Sequence, residues 1–90
     1  MTDSAVEIIH DAIEHQFKVN INEKCAYLAY ANMGDRTIDC YRTFVPETLR
    51  GKGIAAKLTN AVLDYAEQNS LKIIPTCSYV EKYMQSKGLI

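Results

Sequence analysis

Ninety residues, 48% hydrophobic and 23% charged, are expected to form one globular domain spanning 1–90, small enough that roughly 60–65% of the unfolded surface is buried. A formal net charge of -1, with no two basic residues adjacent, supplies no field for nucleic acid, and no apolar run approaches the ~20 residues that cross a bilayer. Cys25, Cys40 and Cys77 form no C-x-x-C pair, so reduced, metal-free thiols are expected; the acidic opening "MTDSAVEIIH" does not read as a secretory signal and points to the cytoplasm.

The first element, "SAVEIIHDAIEH", is ambiguous. Ser4 and Glu7 have capping-box spacing and Ala5, Ile8, Ile9, Ala12 and Ile13 fit one helical face, yet "AVEII" also suits a strand; the residues alone lean to helix. "HQFKVNI" alternates Phe17, Val19 and Ile21 with polar residues and predicts a half-buried strand. "KCAYLAYAN" and "RTIDCYRTFV", separated by "MGD" with its permissive Gly34, predict a hairpin. Over residues 53–69, apolar positions Ile54, Ala55, Leu58, Ala61, Val62, Tyr65 and Ala66 recur every three to four, which predicts an amphipathic helix. "LKIIPT" reads as a short strand. Its Pro75 cannot donate to a ladder, so the sheet is expected to splay there. "SYVEKYMQSKG" then predicts a short helix, with Ser78 and Glu81 as a capping box and Gly88 as the stop.

Between the hairpin and the long helix lies "VPETLRGKGIAAKL". A helix start exposes about four unpartnered N–H groups and a partial positive charge, and glycines let a ligand approach that backbone closely. Gly51 and Gly53 are placed for this, with Arg50 and Lys52 adding charge, so the loop predicts a small-anion cradle. The Walker spacing is absent. "GKGIAA" fits the relaxed dinucleotide pattern G-x-G-x-x-A, but the acidic residue expected about 20 positions on is missing and only one strand follows the helix.

The remaining pattern, R-x-x-G-x-A at Arg50, Gly53 and Ala55, resembles the pyrophosphate loop of the GCN5-related N-acetyltransferases. Together with "LKIIPTCSYVEKYM", the chain resembles the very small, single-domain branch that includes the YjdJ-like proteins and the animal N-acetyltransferase domain-containing proteins. The resemblance implies a minimal α/β (α+β) fold, a bent and mostly antiparallel sheet with a central helix and a short C-terminal helix, and moves the first element from helix to strand. It also implies acetyl-CoA as cofactor and an amine acceptor of unknown identity, in a monomer or weak dimer. The amides of Gly51, Lys52, Gly53, Ile54 and Ala55 would hold the pyrophosphate beside Arg50. The pantetheine arm would pair with the main chain of Val45 in the splay, and the thioester would lie near Cys77. A CoA-binding module without turnover is the other class open to such a short chain.

Cys77 precedes a predicted helix, where a thiol pKa falls. The resemblance puts it close to the thioester, as a channel wall or as a covalent nucleophile, with the wall favoured. Tyr79 and Tyr83 are candidates to protonate a leaving thiolate, although both read more readily as packing. Arg42 stands where many relatives have a histidine before the "V-P" turn. Arginine is no general base, so Arg42 is read either as a contact to an anionic substrate or as a salt bridge to Asp39. His10 is expected exposed, His15 structural on the Phe17 face, Cys25 and Cys40 core thiols, and Tyr27, Tyr30 and Tyr41 packing residues.

Overall fold

The computed structural model describes residues 7–90. Five strands form one sheet in chain order: β1 (Ile9–Asp11), β2 (Gln16–Ile21), β3 (Lys24–Gly34), β4 (Thr37–Phe44) and β5 (Lys72–Ile74). Neighbours are antiparallel until the final pair, β4 and β5, which runs parallel because helix α1 (Ile54–Gln68) carries the chain back across the sheet. Helix α2 (Ser78–Ser86) follows β5.

The hairpins turn where consecutive residues take positive φ, Asn22 and Glu23 after β2, and Asp35 and Arg36 after β3. Gly34 also has positive φ, at 81°, but it is the last residue of β3 and the turn itself lies one step further on. Phe17 and Val19 of β2 are buried as their alternation predicts. In α1 the buried stripe is Ile54, Leu58, Thr59, Val62 and Ala66, and the Thr59 hydroxyl donates to the Ala55 carbonyl at 2.8 Å rather than facing the core unpaired.

Phe17, Val19, Ala26, Leu28, Tyr30, Ile38 and Cys40 of the sheet share one core with Ile54, Leu58 and Val62 of α1 and Val80 and Met84 of α2. Both helices therefore cover the same face. The opposite face is built from the register rows Ile9, Lys18, Tyr27, Phe44 and Asp11, Gln16, Ala29, Arg42, where Lys18 donates to Asp11 at 3.0 Å.

The helical reading of the first element fails over Ile9–Asp11, which pairs with β2, and the strand implied by the family resemblance is the form found. Tertiary contacts overrule the local periodicity. His10 stacks on Phe17 with ring centroids 4.2 Å apart and its Nε2 lies 2.6 Å from the Tyr30 hydroxyl. Asp11 then accepts from the Glu14 N–H at 2.9 Å and closes a turn, leaving Ile13 89% exposed where a helical face would have buried it. Ser4 and Ala5 lie outside the described residues.

The predicted cap of α2 moves by one residue. Cys77 is the N-cap, Ser78 is already helical, and the Ser78–Glu81 capping box does not form. The other end behaves as Gly88 predicts: with φ 74°, it lets the Leu89 N–H reach the Met84 carbonyl at 2.9 Å in a Schellman closure.

Candidate functional site

The glycine loop is held at both ends and open between. Leu49, closing a 3-10 turn over Glu47–Leu49, and Ile54, opening α1, are 5% and 2% exposed and anchor the loop in the core, while Arg50, Gly51, Lys52 and Gly53 face solvent. Gly51 and Gly53 have φ of 80° and 75°, a region costing other residues about 1–2 kcal/mol. A Cβ at either would meet nothing within 4 Å, so the backbone conformation demands glycine and the space above it is free. Gly53 caps α1 without any side-chain hydrogen bond, and the first intrahelical bond there is from Lys57 to the Gly53 carbonyl. The N–H groups of the first turn are left without a side-chain cap.

Above the loop is a cavity of about 230 Å³ whose walls include Val45, Arg50, Gly51, Gly53, Ala55 and Tyr79. Ile54 also lines it. Six of the residues singled out for cofactor contact are thus brought together, whereas Lys52 stands exposed beside the cavity and Cys77 is not on its wall. Arg50 donates through Nε to the Val45 carbonyl at 3.0 Å, pinning the loop to the end of β4 and fixing the rest of its guanidinium at the rim.

The expected splay is present at Pro75. The β4–β5 ladder runs from Thr37/Lys72 to Asp39/Ile74 and stops, and the Cys77 N–H reaches the Cys40 carbonyl at 2.8 Å across the break. Beyond Cys40, β4 continues to Phe44 without a β5 partner. Within this stretch Tyr41 is an extra residue: Tyr30 pairs with Cys40 and the neighbouring Ala29 pairs with Arg42, a β-bulge. The bulge shifts the alternation by one. Ile38 and Cys40 face the core before it, and Thr43, opposite buried Leu28, faces the core after it.

Cys77 closes the end of this slot. It is half-buried, with Sγ 3.4 Å from the Thr43 hydroxyl. Burial, the largest single influence, pushes the thiol pKa up, but hydrogen bonds from the Thr43 hydroxyl and the first-turn N–H groups of Val80 and Tyr79 outweigh it and hold the thiol below its ordinary range. Cys40, fully buried behind it, is pushed up to about 12, by burial first and then by Asp39 and Cys77. Two thiols on adjacent backbone are thus shifted in opposite directions, Cys40 by burial and Cys77 by hydrogen bonding.

The two tyrosines separate as well. The Tyr83 hydroxyl donates to Asn60 Oδ1 at 2.7 Å, tying α2 to α1, and Lys87 lies 5.4 Å from its ring centre. Tyr79 lines the cavity and stacks on Tyr83, and its pKa is raised above the ordinary tyrosine value by partial burial first and then by Tyr83.

Arg42 is carried by the bulge to the helix-free face, with its guanidinium 6.0 Å from the centre of the Tyr27 ring. The salt bridge to Asp39 is not formed; among the described residues Asp39 Oδ1 is buried without a hydrogen-bond partner. Four further expectations are corrected. His10 is half-buried in an aromatic cluster with Phe17, Tyr30 and Tyr65 rather than exposed, Tyr41 is 50% exposed because it is the bulge residue, and Cys25 is only half-buried near the hairpin turn. His15 stacks on Tyr30 but from a turn of positive φ, not from a strand. Cys40, Tyr27 and Tyr30 pack as expected.

The sequence matches the family profile of GCN5-related N-acetyl-transferases over residues 13–88, from the turn before β2 to Gly88 just after α2. The chain belongs to the GCN5-related N-acetyltransferase family. Within it, Protein NATD1 of Xenopus tropicalis is 36% identical over 88 residues, covering 96% of this chain and 81% of that protein. Protein NATD1 of Homo sapiens is 37% identical over 86 residues, covering 93% and 76%. The NMR solution structure of a GCN5-like protein from Staphylococcus aureus superposes with a TM-score of 0.73 at 29% identity, covering 97% of this chain and 83% of that one. The bent five-stranded sheet with two helices is the fold of this acetyltransferase family.

Thr43, the residue of the slot that touches Cys77, is not among the candidates legible in the sequence. Its signal was present only indirectly: a β-branched polar residue sits between Arg42 and Phe44, and simple alternation assigns it to the wrong face unless the bulge at Tyr41 is known. Among the described residues no cluster of three metal-ligating side chains occurs, and no helix is long and apolar enough to cross a membrane.

Proposed function

We propose that this acetyltransferase-family domain binds acetyl-CoA and transfers its acetyl group to an amine. The observation that carries the reading is the continuity of two features, an uncapped helix start behind two positive-φ glycines and an unpaired strand edge that leads from it to Cys77. The loop fits a pyrophosphate, because the amides from Gly51 to Ala55 are free of side-chain caps and a Cβ-sized space stands open above both glycines. Arg50 at the rim, bonded to the Val45 carbonyl, and Lys52 beside it supply charge, and the edge of β4 beyond Cys40, which has no β5 partner, would take the pantetheine arm as an added strand leading up to Val45. The cofactor brings the activated acyl group; the chain contributes binding and alignment.

Near the proposed thioester position, Cys77 is a polar wall of the slot whose thiol pKa is held below its ordinary range, and Tyr79 is the phenol on the wall of the neighbouring loop cavity, available to supply a proton. Arg42 lies on the opposite face of β4 and is assigned to the approach of the acceptor, where it favours a molecule bearing an anionic group. Acceptor-dependent release of free CoA from acetyl-CoA, across a panel of amines and peptides with and without carboxylates, tests this. Release that rises with an acceptor supports transfer, whereas binding of acetyl-CoA with no acceptor-dependent release anywhere makes the domain a CoA-binding module.

A further inference from the structure

The contact between Thr43 and Cys77 follows from an insertion in the strand. In an unbroken β4, the core face would run Ile38, Cys40, Arg42, Phe44, and Thr43 would look away from the helices. The extra residue Tyr41 exchanges the two sets. Arg42 leaves the core side and stacks near Tyr27, and Thr43 enters it, opposite Leu28, with its hydroxyl 3.4 Å from the Cys77 sulfur. Thr43 is on the strand edge that β5 has vacated and Cys77 begins the helix that follows β5, so the contact closes the splay from both sides.

A threonine hydroxyl can serve either protonation state of its partner. It accepts from a thiol S–H, and when that proton leaves, the hydroxyl rotates and donates to the thiolate, a stronger bond because one partner is charged. The first-turn N–H groups of Tyr79 and Val80 and the N–H of Thr43 itself act on the same sulfur, but all three belong to the backbone and remain in any Thr43 variant. Thr43 is the side chain that can be removed. Without its hydroxyl the burial of Cys77 persists and opposes the charge.

We propose that Thr43 is the positioning residue of the slot, holding the Cys77 sulfur at the start of α2 and maintaining it as a nucleophile toward an electrophilic carbon. The proposal deepens the acetyltransferase reading, because the slot is where that reading places the thioester, but its test needs no cofactor. Alkylation by iodoacetamide supplies the electrophile: the Cys77 thiolate forms the C–S bond as the C–I bond breaks and iodide leaves. The titratable group that acts on the sulfur is Cys40 beneath it; Tyr79 and Glu81 are the other titratable residues in the first turn of α2.

The experiment is the rate of alkylation of the Cys77 peptide against pH, resolved by mass spectrometry so that Cys25 does not contribute. Thr43→Val is expected to raise the midpoint by about one pH unit and to slow alkylation about tenfold at a pH below it, while Thr43→Ser restores the wild-type profile. If valine disturbs the fold, Thr43→Ala gives the same readout with a smaller side chain. A midpoint unchanged in both the valine and alanine variants, or shifted equally in serine, overturns the proposal. Calorimetry of the wild-type chain with acetyl-CoA is run separately: an expected Thr43 profile in a chain that binds no acetyl-CoA removes the acetyltransferase reading and leaves the Thr43–Cys77 pairing standing.

Discussion

The glycine loop and the slot meet at Val45 yet are built in different ways. In the loop, the proposed contact is made by backbone: two positive-φ glycines expose amides, and no side chain stands over them. In the slot, side chains decide, and which of them face inward depends on one extra residue in β4. Backbone recognition leaves a motif in the sequence because only glycine tolerates the conformation. Side-chain recognition leaves none until the strand register is known.

The largest effect expected from this contrast is at the loop. Gly53→Glu places a side chain and a negative charge above the uncapped amides, in a backbone region that costs about 1–2 kcal/mol for a non-glycine residue. Acetyl-CoA binding by calorimetry should be lost while circular dichroism remains that of the folded chain. Affinity that survives would break the comparison, since the loop would then not be the contact.

A smaller effect, and one remote from both regions, is expected at His10. Burial holds its pKa below the ordinary 6.5, Asp11 opposes the shift and His15 adds to it. The folded chain therefore binds fewer protons than the unfolded chain between that lowered value and 6.5. This contribution to stability is complete above the ordinary value and is lost as pH falls through the window. The thermal midpoint should drop on acidification from neutral pH. His10→Phe, which keeps the stack on Phe17 but removes the titration, should flatten that slope; an equal slope in the variant would show that other groups set it.

The smallest effect is expected at Tyr83→Phe. Removing the bond to Asn60 Oδ1 should cost under about 1 kcal/mol in denaturant unfolding and leave acceptor-dependent CoA release unchanged, because the hydroxyl is committed between the helices. The parallel Tyr79→Phe exchange, on the cavity wall, sharpens the contrast: a fall in release there alone assigns the proton to Tyr79.

Most of the fold could be read from the chain because its local and tertiary preferences agree. The alternation in β2, the three-to-four spacing of α1, the break at Pro75 and the stop at Gly88 all hold in three dimensions. The first element could not be, because the apolar spacing of Ile8, Ile9, Ala12 and Ile13 suits a helix and only the packing of His10 against Phe17, Tyr30 and Tyr65 selects a strand. The loop of the candidate site was legible down to Arg50, Gly51, Gly53 and Ala55. Thr43 was not, and Arg42 could be named but not placed, since the bulge at Tyr41 has no signature in "DCYRTF". Ser78 likewise offered a better cap by residue type than Cys77, but the bond from the Cys77 N–H to the Cys40 carbonyl fixes where the helix starts.

The most direct test of the loop is a pair of calorimetric titrations, one with acetyl-CoA and one with acetyl-pantetheine, which lacks the pyrophosphate. If the amides from Gly51 to Ala55 hold the pyrophosphate, acetyl-CoA binds and acetyl-pantetheine binds far more weakly. Equal affinity for the two would contradict the account.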